Sequence, residues 1–370
     1  MLALAEIFRH YGPASRATFA DRMPKSHLKA MEAIEQCRTE ALGGHISQCT
    51  ACGELEYRYH SCKNRHCPTC QNEEAARWLE QQRALLLPVP YFLVTFTLPE
   101  ELRCVARSHQ QCLYNLLFQT SAAALKALAL DPTYLGGQLG LVGVLHTWTR
   151  EMAYHPHVHY LVPGGALSPD GSTWLSPRYA EWLVPVHAPS ALFRGKFKAA
   201  LTTAGLLASV PPQVWHKGWV THGQPAGTGT EVLAYFAPYL RRVAMTNNRL
   251  VKLEDGHVTF RVKERTSHAW THRTLPAEEF MRRFLQHVLP KGFITVRSYG
   301  LLSPSRRPAL AQSRELLAAC PSHDQATQSG HTRDRHETSP TPEAALHCRL
   351  CGGQLVFLFR LVPHKRRPPS

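Results

Sequence analysis

Apolar residues recur at helical spacing after Ser26. Leu28, Met31, Ile34, Cys37 and Leu42 share one face and Gly43-Gly44 closes the run, so a helix capped by Ser26 is expected there. A second helix is expected to start at Asn72, with Glu73 and Glu74 in its first turn and Trp78 and Leu79 along it, and to stop before Pro88. At Tyr91 the pattern changes. Tyr-Phe-Leu-Val-Thr-Phe-Thr-Leu has the composition of a buried strand, and a helical stretch follows from about residue 100 to 129. Residues 141–148 and 157–162 read as two more strands, joined by a short polar connection that contains Arg150 and Glu151, and an antiparallel pair is the economical arrangement. Residues 258–263 alternate as a strand does, Phe293 to Arg297 adds another, and helices are expected around 190–206, 230–245 and 276–288.

The expected fold class is α+β: an antiparallel sheet with flanking helices behind a small helical, cysteine-rich N-terminal module. The division is residues 1–90, 91–305 and 306–370. In the last region residues 321–344 have almost no large apolar side chain and read as a linker. The strand-like Leu355-Val-Phe-Leu-Phe and the basic end Lys365-Arg366-Arg367 follow.

Charge narrows the partners. The 370 residues carry 42 Lys and Arg against 27 Asp and Glu, a formal charge of +15 that favours a polyanion, nucleic acid first of all. No run of about 18 apolar residues appears and the N-terminus lacks a basic leader, so no membrane partner is expected. Eleven cysteines, several in CxxC pairs, suit a reducing compartment, and the expected location is cytoplasmic, in association with a bacterial-type nucleoid.

Cys49-Thr-Ala-Cys52 and Cys67-Pro-Thr-Cys70 lie 14 residues apart, close to the spacing of a zinc ribbon, and four thiolates complete the tetrahedron of a structural Zn²⁺ site. Cys62, His60, His66 and His45 are near enough to substitute. Arg58, Lys63 and Arg65 stand among these residues, which offers Lys63 and Arg65 as cations for a phosphate backbone. Cys348 and Cys351 resemble half of a second site, with Cys320 and His323 as the spaced partners.

In His155-Pro156-His157-Val158-His159, alternation places His157 and His159 on one face of a strand, spaced to share one divalent ion. If residues 141–148 pair with this strand, His146 lies across from one of the two, at roughly 5 Å between Cβ atoms, as a third ligand. His155 is the weaker candidate because Pro156 breaks its alternation. Farther on, Tyr235 and Tyr239 are four apart in a helix-like stretch followed by Arg241 and Arg242, cations suited to holding a phosphodiester. A phenol is only about 0.1% ionised at pH 7, so attack on phosphorus needs a metal to withdraw charge from the phosphate oxygens. Mg²⁺ and Mn²⁺ both fit that task.

These segments together carry a resemblance. Ser61-Cys62-Lys-Asn-Arg-His66-Cys67-Pro-Thr-Cys70-Gln71, Leu145-His146-Thr-Trp148, His155-Pro-His157-Val-His159 before Pro163-Gly-Gly, Tyr235-x-x-x-Tyr239 and Leu289-Pro-Lys-Gly-Phe293 resemble the HUH two-tyrosine transposases of rolling-circle insertion sequences that carry an N-terminal zinc-binding domain. The match covers most of residues 1–305. It implies an HUH nuclease domain that nicks and transfers single DNA strands through a 5′-phosphotyrosine link, with His157 and His159 as metal ligands and Tyr235 and Tyr239 as nucleophiles. Pro238 departs from the pattern, where such enzymes carry a basic residue between the tyrosines, and inside a helix it costs about 3 kcal/mol. Two other readings compete: a replication initiator or relaxase of the same chemistry, which usually places its tyrosine before the histidines, and a zinc-ribbon DNA-binding protein without activity. The sequence says nothing of oligomeric state.

Overall fold

The computed structural model describes residues 2–70, 80–179, 183, 185, 187–228, 232, 244–264, 267, 269–319 and 346–363. It opens with two helices, α1 (Leu4–Phe19) and α2 (Lys25–Gln36). Sequence periodicity did not reveal α1, which has Pro13 exposed in its middle yet buries Leu4, Ile7 and Phe8. The second helix ends at Gln36, well before Leu42. There Cys37 turns its thiol away into a cysteine cluster and Arg38 takes a left-handed φ of 57°. A hairpin follows, β1 (Gly44–Cys49) and β2 (Leu55–Tyr59). The helix expected from Asn72 lies mostly outside the described residues, of which Glu80–Arg83 are helical.

Next come β3 (Pro90–Thr97), α3 (Arg103–Ser108) and α4 (Gln110–Leu130), so the single helix expected over 100–129 is divided at His109. Strands β4 (Gly140–Trp148) and β5 (Tyr154–Pro163) form the expected antiparallel pair. The short pair β6 (Ala166–Leu167) and β7 (Trp174–Leu175), helix α5 (His187–Thr203) and β8 (Thr221–Thr228) follow. Strands β9 (Leu250–Glu254), β10 (His257–Lys263) and β11 (Trp270–Pro276) make a meander that runs into α6 (Ala277–Leu285). Strand β12 (Val296–Gly300), α7 (Arg307–Ala319) and β13 (Leu355–Leu361) complete the chain. The strand expected from Phe293 starts three residues later because Phe293 itself is buried, its ring against Tyr114 and Phe118. The proposed linker at 321–344, the basic end, and the helix over 230–245 except Val232, Ala244 and Met245 lie outside the described residues.

The fold is α+β, with antiparallel sheets. The main one has the order β12-β4-β5-β3-β8. One face presents Phe92, Val94, Phe96, Leu141, Leu145, Val158, Tyr160 and Val162 to Leu113, Leu117, Phe118, Phe193 and Phe197 of α4 and α5. Gly143 is required on this face, because a Cβ there would lie 2.5 Å from the Tyr160 ring. The other face begins apolar, with Tyr91, Leu93, Val142, Val144 and Leu161 packed near Leu302 and Leu310, and then turns polar along the same strands. A second core joins α1 and α2 to the β9–β11 meander and α6, with Phe8 on Phe284 at 5.5 Å and Phe260 on Phe280 at 5.6 Å. The third sheet, β13-β1-β2, brings the C-terminal strand beside the N-terminal hairpin. Among the described residues no helix is long and apolar enough to cross a membrane.

Candidate metal centres

Alternation makes the histidine site. On β5 the side chains of Leu161, His159 and His157 follow one another on one face, and on β4 Val142, Val144 and His146 do the same. The ladder pairs Val144 with His159 and His146 with His157, so the polar ends of the two rows meet. The ring centroids are 5.4 Å apart for His146 and His157, 4.9 Å for His146 and His159, and 4.7 Å for His157 and His159. One ring nitrogen from each lies within 4.8 Å of the other two. All three histidines named from sequence are thus brought together.

Their orientation is fixed from behind. The Nδ1–H of His157 donates to the carbonyl of His155 at 2.6 Å, and Nδ1 of His159 is 2.8 Å from the Thr95 hydroxyl on β3. Both contacts engage Nδ1, the arrangement in which an outer partner sets the tautomer of an imidazole whose Nε2 would face a metal. His146 is buried and stacks on Trp148 at 4.8 Å and 19°. Burial, with the neighbouring His146, lowers the pKa of His157 to about 3, so at neutral pH its ring is uncharged, as a ligand must be. His155 stays outside the group, with Nδ1 3.2 Å from the Arg103 guanidinium.

Tyr235, Tyr239, Pro238, Arg241 and Arg242 lie outside the described residues. What brackets them is described. Val232 is fully buried in the cluster that covers the histidine-bearing face of the sheet, and Ala244 and Met245 are buried in the N-terminal core together with Cys67.

The cysteines combine differently from the sequence expectation. Cys49, Cys52, Cys67 and Cys70 do not form one site: Cys67 and Cys70 join Cys37 and Cys62, whereas Cys49 and Cys52 join Cys348 and Cys351. The reason is the hairpin between the two CxxC pairs. Cys49 and Cys52 sit at its tip, and the segment from Cys62 to Cys70 continues from its base beside the end of α2. Five residues of strand, at about 3.3 Å each, keep tip and base some 17 Å apart. In the first cluster Sγ of Cys37 is 3.5 Å from Cys70 and 3.6 Å from Cys67, and Cys62 is 3.6 Å from Cys70. Zinc–sulfur bonds of 2.3 Å in a tetrahedron give sulfur separations of roughly 3.8 Å, and a disulfide requires about 2.05 Å, so the cluster fits zinc. Side-chain hydrogen bonds from Cys62 and Cys67 hold the Cys37 thiol far below its ordinary pKa, and the same contacts push Cys62 and Cys67 up, as for one thiolate shared among close thiols.

Two neighbours named for other roles serve docking. The Arg65 guanidinium donates to the carbonyls of Phe293 at 2.5 Å and Pro290 at 3.1 Å, and Nε2 of His66 accepts the N–H of Leu289 at 3.1 Å. His66 is therefore engaged elsewhere than the zinc cluster. The cysteine loop thus grips the Leu289–Phe293 segment, which joins two of the motifs quoted from sequence. Lys63 has a left-handed φ of 51° and an exposed side chain. Asn247 fastens the same region, accepting from the N–H of Leu4 at 3.0 Å and donating to Thr69 at 3.2 Å. Cys37, Thr95 and His287 were not named from sequence as site or supporting residues. Cys37 looked like one apolar position of a helix running on to Leu42, so the sequence pattern did not mark it as a ligand. His287 is buried against Thr147 and the Met152 carbonyl, each at 3.2 Å, and touches Trp148 at 5.9 Å between centroids.

A cleft of about 880 Å³ opens beside α1, α3 and α6, lined by Arg22, Arg107 and Arg282 among others. It shares no residue with the histidine group, which lies outside it.

Comparison with known proteins agrees with this architecture. A family model described as "Putative transposase" matches residues 140–309, and one described as "Transposase zinc-binding domain" matches residues 7–98. The chain is 40% identical to "Putative transposase y4qJ" of Sinorhizobium fredii over 96% of its own length and 94% of that protein. It is 25% identical to "Transposase for insertion sequence element IS801" of Pseudomonas savastanoi pv. phaseolicola, over 72% of this chain and 68% of that one. No solved structure matches. With the first of these relatives similar along nearly its whole length, the chain belongs to the insertion-sequence transposases that carry an IS91-type zinc-binding domain.

Proposed function

We propose that this transposase nicks and transfers single DNA strands by rolling-circle transposition, with Tyr235 or Tyr239 as nucleophile and a divalent metal, Mg²⁺ or Mn²⁺, held by His146, His157 and His159. The observation that carries the reading is the three-histidine group on adjacent strands, two of its rings tied back through Nδ1. His146, His157 and His159 would hold such an ion through their ring nitrogens. A metal bound there neutralises charge on the scissile phosphate and makes phosphorus more electrophilic.

The chain's own residues supply the rest. Val232 is buried on the histidine face, and Tyr235 lies three residues on in the sequence. The phenol oxygen forms a bond to phosphorus, the bond from phosphorus to the 3′ oxygen breaks, and the phenolic proton leaves with the 3′ hydroxyl. The 5′-phosphotyrosine conserves the energy of the broken ester, so the strand passes to another hydroxyl without ATP. A second tyrosine holds a second strand during the exchange, and Arg241 and Arg242 offer their guanidinium groups to the phosphates. In the zinc-binding module, Cys37, Cys62, Cys67 and Cys70 hold a structural Zn²⁺ that fixes the loop gripping Leu289–Phe293.

The test is adduct formation. A 3′-labelled single strand carrying the element's end, mixed with protein and Mg²⁺ or Mn²⁺, becomes covalently attached, and Tyr235→Phe and Tyr239→Phe show which phenol attacks first. If the double tyrosine variant still cleaves to the same products, the reading is wrong.

A further inference from the structure

The cysteines left over by the first zinc cluster form a second constellation. Cys49 and Cys52 come from the tip of the N-terminal hairpin, and Cys348 and Cys351 from the turn before β13. Sγ of Cys49 is 3.4 Å from that of Cys351, and Cys52 is 3.8 Å from Cys348, although the paired residues are 302 and 296 positions apart in sequence. These separations suit the edges of a tetrahedral four-sulfur site and are far beyond a disulfide. We propose that Cys49, Cys52, Cys348 and Cys351 bind a second zinc ion, which clips the C-terminal tail onto the N-terminal hairpin.

The backbone is built for it on both sides. Cys49-Thr-Ala-Cys52-Gly53 and Cys348-Arg-Leu-Cys351-Gly352 have the same Cys-x-x-Cys-Gly form. In each, the glycine donates its N–H to the carbonyl of the first cysteine, at 3.0 Å for Gly53 and 2.9 Å for Gly352. In each, that glycine has a left-handed φ, 72° and 75°, which glycine adopts without strain. The N–H of Gly353 also points at Sγ of Cys351, at 3.4 Å. Two such knuckles facing each other present four sulfurs to one centre, and Thr50 bridges them through its N–H to the Gln354 carbonyl at 3.0 Å.

The tail also needs a clip. Strand β13 lies antiparallel on β1 from Gly44 opposite Leu361 to Cys49 opposite Leu355. Only Leu355 of that strand is buried, while Val356, Phe357, Leu358 and Phe359 are 42–58% exposed. One buried apolar residue adds little to the ladder of β13 on β1, whereas metal–sulfur bonds from both knuckles would tie the two turns directly.

The measurement is zinc content of the purified full-length protein, by mass spectrometry of the metal after dialysis against zinc-free buffer. We expect two zinc ions per chain, one in Cys348→Ser/Cys351→Ser, one in Cys49→Ser/Cys52→Ser, and still one in the variant that combines all four substitutions. Retention of the last ion shows that the first cluster stays folded. Alkylation gives a second readout: with zinc bound, Cys348 and Cys351 resist maleimide, and a chelator exposes them. The proposal is overturned if the unaltered protein holds one ion, if Cys348→Ser/Cys351→Ser keeps two, or if the intact mass is four hydrogens low, which marks two disulfides. These outcomes do not depend on cleavage, so the clip and the strand-transfer reading fail separately.

Discussion

The histidine centre and the cysteine clusters hold their ligands by opposite means. His146, His157 and His159 stand on adjacent strands inside a five-stranded sheet, and the hydrogen-bond ladder sets their separation whether or not a metal is present. Cys37 stands one residue beyond a helix, Cys62, Cys67 and Cys70 lie on a segment without regular structure, and the remaining four belong to turns far apart in sequence. There the donors come from separate elements, and an ion would tie those elements to one another. A metal on a preformed platform is free to serve chemistry; a metal that gathers loops serves folding.

The sharpest way to break this contrast is to remove the metals. Structural zinc contributes about 10–16 kcal/mol of apparent binding energy, as much as the whole stability of an ordinary domain. Cys37→Ser/Cys62→Ser, or exhaustive chelation, is expected to abolish the cooperative thermal transition of the N-terminal core, followed by circular dichroism. The loss should spread into β9–β11 and α6, because these share that core with α1 and α2. His157→Ala/His159→Ala is expected to behave in the reverse way, with cleavage reduced to background and a melting temperature only a few degrees lower. A zinc-stripped chain that melts like the native one would overturn the contrast, as would a histidine variant that unfolds.

The same difference decides what the sequence could disclose. Strand alternation is local, so His157 and His159 could be assigned to one face, and the antiparallel pair put His146 beside them. Thr95 was not legible: it lies 64 residues from His159, inside a run that reads simply as a buried strand. The zinc ligands were half legible. CxxC marks a knuckle, but nothing in the spacing shows that a hairpin carries one knuckle away from the other, or that the missing partners are a helix-end cysteine and a pair some 300 residues on. Helix α1 was hidden by Pro13, and its stability comes from a core shared with residues more than 200 positions later.

A finer test concerns what supports the histidine platform. Thr95→Val keeps the shape of the strand and removes the hydroxyl that faces Nδ1 of His159. Loss of such an outer contact typically costs 10–100-fold in metal affinity. We expect that weakening in a titration of cleavage rate against Mn²⁺, with the saturated rate close to that of the unaltered protein. A Thr95→Val protein with unchanged Mn²⁺ dependence would show that the Thr95 hydroxyl does not orient His159. Thr95→Ser should retain the native affinity.

A further test concerns acid stability, and it reaches both kinds of site. Burial lowers the pKa of His157 and His66 to about 3 and that of His287 to about 4, from 6.5 when exposed. Between pH 6.5 and 4 the unfolded chain therefore binds protons at these positions that the folded chain does not. Stability must then rise with pH across that window and fall as the solution is acidified, by up to about 1.4 kcal/mol per pH unit for each histidine. Above pH 6.5 these groups contribute no slope. Urea unfolding at pH 7.5, 6.5, 5.5 and 4.5 in Mg²⁺-free buffer checks the sign, and His287→Asn should flatten the curve by one proton while leaving the plateau above pH 6.5 in place. His287 joins the Thr147 hydroxyl to the Met152 carbonyl behind Trp148, so a curve that stays steep in that variant would mean its ring is already charged in the fold.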